Sequence, residues 1–288
     1  MGMTGSEISP RIMSGYGLVN ERFDRVVRAL SRSNRGSGSK IALVRETGLA
    51  DEALAYMDIR TWPASRLLVV DLGPWCAILT NSRNGSDFND HQRWATQTLG
   101  ERTLRVVDDE AQTWRRGTQR MRIGYDARIV ELRDGDGSTR RSIACMNDGG
   151  RWVFETSGQP LPIEASFPYD APRSRDRFSS EHLAVLLRSL GVEPLTLQSL
   201  RAAPRFALLS ETPTNKEVRR KVERFACSAA EADDPAFLHY MSGMRYADRM
   251  DLFGAERVIQ SLERAVELNP DYEPRVRDTL AKARRRAR

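Results

Sequence analysis

Two spacings of apolar residues alternate along this chain. Ile123, Tyr125, Ala127 and Ile129 alternate with polar residues, the two-residue period of a half-buried strand, so Arg122–Arg133 is expected as a single strand. Asp134-Gly-Asp-Gly-Ser138 supplies turn residues, and Thr139–Met146 and Arg151–Thr156 complete a three-stranded meander. The second turn of the meander is Asn147-Asp-Gly-Gly150, whose residues tolerate positive φ. In the last strand Trp152 and Phe154 fall on one face, Arg151, Val153 and Glu155 on the other. Arg66–Leu72 and Trp75–Thr80 are apolar runs flanking Gly73-Pro74, which predicts a hairpin buried on both faces. Arg102–Val107 and Arg205–Ser210 read as further strands, and Gly158, Pro160 and Pro162 end strand pairing after the meander.

Elsewhere the spacing is helical. Phe23, Val26, Val27 and Leu30 form one stripe within Glu21–Asn34, and Asp51 is placed to cap a short helix to Met57 with Leu54 and Met57 inward. His91–Leu99 is a helix stopped by Gly100, and Ser179-Ser-Glu-His opens one whose Leu183, Leu186, Leu187 and Leu190 face a core before Gly191. Thr196–Ala202 is a further short helix. Beyond Pro213 the predicted elements are helices only: Lys216–Glu231, Pro235–Arg249, Ala255–Asn269 and Glu273–Arg286. Residues 1–20 carry Gly, Ser and Pro without a period and are expected to be disordered, and Arg35-Gly-Ser-Gly-Ser39 reads as a linker. The fold class expected is α+β: a mainly antiparallel sheet built from hairpins with flanking helices, then an all-α helical-hairpin extension. The expected boundaries are 1–40, 41–210 and 211–288.

Within the extension, Ala236–Asp248, Ala255 and Leu262–Pro270 resemble a single tetratricopeptide repeat, with Gly243, Tyr246, Ala255, Ala265 and Pro270 at its small, aromatic and terminal proline positions. The second helix is about three residues longer than the usual spacing of such repeats. That resemblance implies a helical hairpin docked on its neighbours. The region from about Trp62 to Ser210 also resembles an uncharacterised bacterial family, through Asn147-Asp-Gly-Gly-Arg-Trp-Val-Phe-Glu155 and the Arg175-Asp-Arg-Phe178 helix start. It implies one domain and no particular activity.

Composition narrows the setting. With 40% hydrophobic and 29% charged residues the chain can build a core, and it has no run of about 18 apolar residues that could span a membrane. No charged-then-apolar leader opens it, and its three cysteines, Cys76, Cys145 and Cys227, are too scattered for a disulfide framework or a zinc clasp. A cytoplasmic location is therefore expected. The net charge is +6, carried by 41 Arg and 4 Lys, a bias that GC-rich codon usage produces by itself. Only the tail is purely basic, so Arg284, Arg285, Arg286 and Arg288 are the candidate phosphate contacts.

Candidate chemistry is sparse. Asp87, Asp90 and His91 are spaced to hold a divalent ion or to begin an acid–base site; alternatively Asp90 caps the helix that follows. Asp148, Glu155 and Glu164 are a second carboxylate group. Asn147, Arg151 and Glu155 around Trp152 instead suit a polar rim about an aromatic anchor, the pattern of a protein interface. His182 falls in a helix's first turn and His239 in the repeat-like helix, where a packing role is expected. No GxSxG elbow, GxxxxGK[ST] loop or strand-following GxGxxG is present, so neither a cofactor nor a resident metal is expected. The function expected is a non-enzymatic, bacterial cytoplasmic protein-binding module, of accessory or immunity type, with a protein partner. The alternatives are a metal-assisted hydrolase using the acidic and histidine cluster, with Asp148 contributed by the hairpin, and an Arg-rich nucleic-acid binder.

Overall fold

The computed structural model describes residues 14–32, 39–46, 57, 59–60, 65–81, 88–110, 112–116, 119–123, 126–147, 150–228, 231 and 234–287. They form two units: one from the described parts of Met1–Ala111 and Gly124–Ala226, the other from those of Gln112–Ile123 and Cys227–Arg288.

The first unit is built on a nine-stranded sheet. Its strands are β1 (Gly15–Val19), β2 (Ser39–Glu46), β4 (Arg66–Asp71), β5 (Cys76–Thr80), β6 (Thr103–Asp109), β9 (Ala127–Arg133), β10 (Thr139–Asn147), β11 (Trp152–Gly158) and β12 (Phe206–Pro213). A two-residue strand, β3 (Ile59–Arg60), precedes β4 in the chain, and β7 (Gln112–Arg116) and β8 (Gln119–Ile123) pair in the second unit. The spatial order is β11-β10-β9-β6-β1-β5-β4-β12-β2, and every ladder is antiparallel. Both predicted hairpins are present, β4–β5 around Gly73-Pro74 and the β9–β10–β11 meander.

Three expectations are corrected here. Gly15–Val19 is a fully buried strand at the middle of the sheet, inside the stretch expected to be disordered. Five residues with two glycines are too short and too small to print a period, yet Gly17 is needed: a Cβ there would lie 1.9 Å from the Phe88 ring. Arg122–Arg133 is not one strand. Ile123 ends β8, Asp126 lies outside any strand, β9 begins at Ala127, and the two strands pair in different sheets. The helix expected over Lys216–Glu231 stops at Arg224, after which Phe225 is buried and Cys227–Ser228 is extended as β13. The first unit includes residues up to Ala226.

Helices cover both faces of the sheet. On one face α1 (Phe23–Arg32) and α2 (Asn89–Leu99) bury Phe23, Val26, Val27, Leu30, Ala95 and Leu99 against Val19, Leu67, Val69, Cys76, Ile78, Ala207 and Leu209. The stripe read in α1 is the buried one. Arg205 ties that helix to the sheet, reaching Asp71 at 2.9 Å and Asp24 at 3.1 Å above the Phe23 ring. On the other face α3 (Ser180–Ser189) and α4 (Leu197–Ala202) pack Leu183, Leu186, Leu187 and Leu200 onto Leu18, Leu104, Val106, Val130, Leu132, Ile143 and Cys145. Gly100 and Gly191 hold the left-handed positions after α2 and α3, at φ 67° and 75°. A nine-residue helix, α5 (Lys216–Arg224), follows β12.

The second unit holds the β7–β8 hairpin, β13, and helices α6 (Pro235–Asp248), α7 (Met250–Phe253), α8 (Ala255–Leu268) and α9 (Glu273–Ala287). Asp234 caps α6 through the Ala236 N–H at 2.9 Å, and Pro235 takes the first helical position, where its missing donor costs nothing. The core is Phe237, Tyr240, Met241, Val258, Leu262, Ala265, Tyr272, Val276 and Leu280. Tyr240 and Tyr272 lie 5.3 Å apart beneath the Arg275 guanidinium, which also bonds Glu231. Gly243 lets α6 and α8 close on each other, since a Cβ there would stand 2.4 Å from Leu262 Cδ2.

Candidate functional site

On the α3-covered face of the sheet, Asp108 of β6 and Arg128 of β9 oppose each other directly in register. Strand parity puts both on the side of Leu104, Val106, Val130 and Leu132, so two charged side chains stand at the end of an apolar face. They meet the first residue of α3. Ser180 Oγ donates to Asp108 Oδ1 at 2.7 Å, Arg128 Nε donates to Ser180 Oγ at 3.3 Å, and Arg128 Nε lies 3.5 Å from Asp108 Oδ1. The guanidinium also sits 5.8 Å from the Trp152 ring centroid and 3.6 Å from Glu110. α3 is placed for this by its own cap: Ser179 Oγ accepts from the His182 N–H, and His182 Nδ1 accepts from the Ser179 N–H at 3.1 Å. The His182 ring, in the first turn of α3 as expected, packs 5.0 Å from Phe167.

A cavity of about 230 Å³ adjoins this cluster, bounded by Ser14, Tyr16, Asp108 and Ser180 on its polar side and by Leu183, Ala184, Leu187, Pro194 and Leu195 on its apolar side. Tyr16 is 4% exposed. Its hydroxyl accepts from the Leu195 N–H at 3.3 Å, and burial, with Asp108 adding to it, pushes the phenol up to about 12. The phenol therefore stays a proton donor throughout the physiological range. The chemistry available is recognition by hydrogen bonds: one carboxylate already opposed by a guanidinium, two hydroxyls and an apolar wall. With one carboxylate and no imidazole, the lining does not suit a divalent cation.

A second buried polar centre lies at the meander's far end. Arg141 and Glu164 pair with side chains 3% and 2% exposed. Arg141 Nη1 also donates to the Ser157 and Gly158 carbonyls at 3.1 Å, while Glu164 accepts from the Leu161 N–H at 2.9 Å and the Tyr169 hydroxyl at 2.8 Å. Every nitrogen of the guanidinium and both carboxylate oxygens have a partner, which makes Glu164 a structural group rather than a member of a carboxylate dyad.

The residues singled out in the sequence are dispersed. Trp152 is half-buried under Arg128 on the α3 face and pairs in register with Asn147, whereas Glu155 is exposed on the opposite face and Arg151 is exposed at the turn. The four do not form one rim. Asp87 and Asp148 lie outside the described residues. α2 begins at Asn89 with Phe88 at its N-cap, so Asp90 falls inside the first turn and does not cap the helix; the anchoring of Phe88 over Gly17 sets that start. His91 is half-buried, its ring stacked 6.4 Å from Phe88, on a helix that packs on the sheet face opposite Trp152. Among the described residues no three His, Cys, Asp or Glu side chains gather as metal ligands. In the tail, Arg284 pairs with Glu263 at 2.7 Å, Arg285 and Arg286 are exposed on the last turn of α9, and Arg288 lies outside the described residues.

Asp108, Arg128, Ser180 and Tyr16 were not singled out from the sequence. The signal that was there is parity: Asp108 and Arg128 continue the core-facing registers of their strands, and a charge at such a position needs a partner. No described helix is long and apolar enough to cross a membrane. Compared with known protein families, curated proteins and solved structures, the chain matches none.

Proposed function

We propose that this chain is a protein-binding module whose contact surface is the turn joining α6 to α8. One observation carries the reading: Leu252 and Phe253, adjacent on the four-residue helix α7, are 62% and 39% exposed. Large apolar side chains presented side by side to water are the usual mark of a contact surface. Tyr246 extends the apolar patch, its ring 5.0 Å from that of Phe253. The close α6–α8 approach at Gly243 and the buried Ala265 fit the small positions of the tetratricopeptide-like pattern, so the hairpin beneath the turn is a packed support. The partner this surface suits is a protein offering an apolar patch of its own. The reading moves the contact from the Asn147–Glu155 hairpin, whose members point to two faces, to the helical turn.

The test is a photo-crosslinking amino acid at position 252 in cells that encode the protein. A discrete cross-linked protein is expected, and it should disappear when Phe253 is changed to Ser in the same chain. The absence of any discrete product, or a product indifferent to Phe253→Ser, would overturn the proposal. Both side chains face solvent, so the variants should unfold at the same urea concentration as the parent.

A further inference from the structure

We propose that the cavity between β1, β6 and α3 is a binding site for a small neutral molecule that carries a carboxamide on a compact apolar body. The inference is independent of the helical turn and rests on the unused valences of the lining. The Tyr16 hydroxyl takes the Leu195 N–H as acceptor, and its own hydrogen has no acceptor among the described residues. Asp108 commits Oδ1 to Ser180 and Arg128, and no hydrogen bond is made to its Oδ2 among the described residues. The Tyr16 donor is buried and costly to leave unmatched, while the Asp108 side chain, 35% exposed, keeps an acceptor open beside it at the cavity. A group offering an acceptor beside a donor completes both, and a primary amide does so on a single carbon, its oxygen toward Tyr16 and its N–H toward Asp108.

Charge excludes the neighbouring chemistries. A ligand ammonium drawn to Asp108 would approach Arg128, 3.5 Å from that carboxylate, and a ligand carboxylate would face Asp108 itself. Size limits the body. About 230 Å³ falls below the roughly 300 Å³ at which sites for drug-sized ligands begin, so a single ring or a branched aliphatic group is what the wall of Leu183, Ala184, Leu187 and Pro194 accommodates.

The experiment is a titration of the full-length, ¹⁵N-labelled protein with benzamide, benzoate and benzylamine, three probes of one shape and three charges. Benzamide should shift the amide resonances of Ser180 and Leu195 and bind at least about tenfold more tightly than either charged probe. Tyr16→Phe should weaken benzamide about tenfold, the size of one lost hydrogen bond. Ala184→Phe, which fills the cavity from a helix position, should abolish the shifts. Equal binding of the three probes, shifts confined to other resonances, or no shift with benzamide would each overturn the site. Because the three probes are compared on the unaltered protein, the result stands even if a variant fails to fold.

Discussion

Arg141 and Glu164 show what a single residue pair commits the chain to. Two charges almost wholly removed from water are stable only while each keeps its partners, and the pair spans β10 and the Pro162–Ser166 turn. Glu164→Gln should therefore lower unfolding free energy by about 3–5 kcal/mol, measured by urea titration, because it leaves a buried guanidinium uncompensated. Replacing both, as Arg141→Met with Glu164→Leu, should cost less than that single change. The sequence shows Arg141 at the parity of Ile143 and Cys145, a legible sign that a charge enters the core; that its partner lies 23 residues on, beyond two prolines, is tertiary information. Cys76 gives a residue-scale pH effect. Its thiol lies in the α1-covered core, where burial, reinforced by Asp71, pushes it from 9.0 up to about 12. An acid whose folded value is raised stabilises the fold fully below its unfolded value and loses that contribution as pH rises toward the folded one. Stability should thus fall between about pH 9 and pH 12, and Cys76→Ala should flatten that part of the profile of urea midpoints; an unchanged slope would assign the alkaline loss to other groups.

At the scale of elements, the patterns that were legible are those in which periodicity and punctuation agree. The α1 stripe, the helix ending at Gly191 and the hairpin around Gly73-Pro74 were read correctly because apolar spacing and stop residues give the same answer. β1 is not legible because its identity lies in what surrounds it, not in its own residues: Gly17 is in a strand through its pairing with β5 and β6, and is glycine because Phe88 occupies the space its Cβ would take. Gly243 plays the same part between α6 and α8, so Gly243→Ala should push the two helices apart and destabilise the second unit by about 1–3 kcal/mol. Combined with Leu262→Ala the two losses should sum to less than their separate values, since the methyl that obstructs the new Cβ belongs to Leu262; a strictly additive double mutant would show that the contact is not the cause.

Taken whole, the chain carries separate cores in its two units, so unfolding is expected as two cooperative events. In a calorimetric scan Gly243→Ala should shift one transition and Glu164→Gln the other. A single transition moved by both variants would make the units one cooperative body. The fold class was legible as a whole, an antiparallel sheet of hairpins followed by helices, because hairpins are local. The order of the sheet was not, since it depends on where a five-residue strand from the start of the chain inserts. That insertion has a consequence for how the molecule is completed. β1 alone joins β5 to β6, so it is a keystone between two four-stranded half-sheets, and it brings Ser14 and Tyr16 to the cavity as it seats. β1 is thus a strand that waits: it precedes both neighbours in the chain and cannot lock until partners some sixty to ninety residues later have emerged, at positions 76–80 and 103–109, and closure of the sheet and assembly of the cavity are then one event.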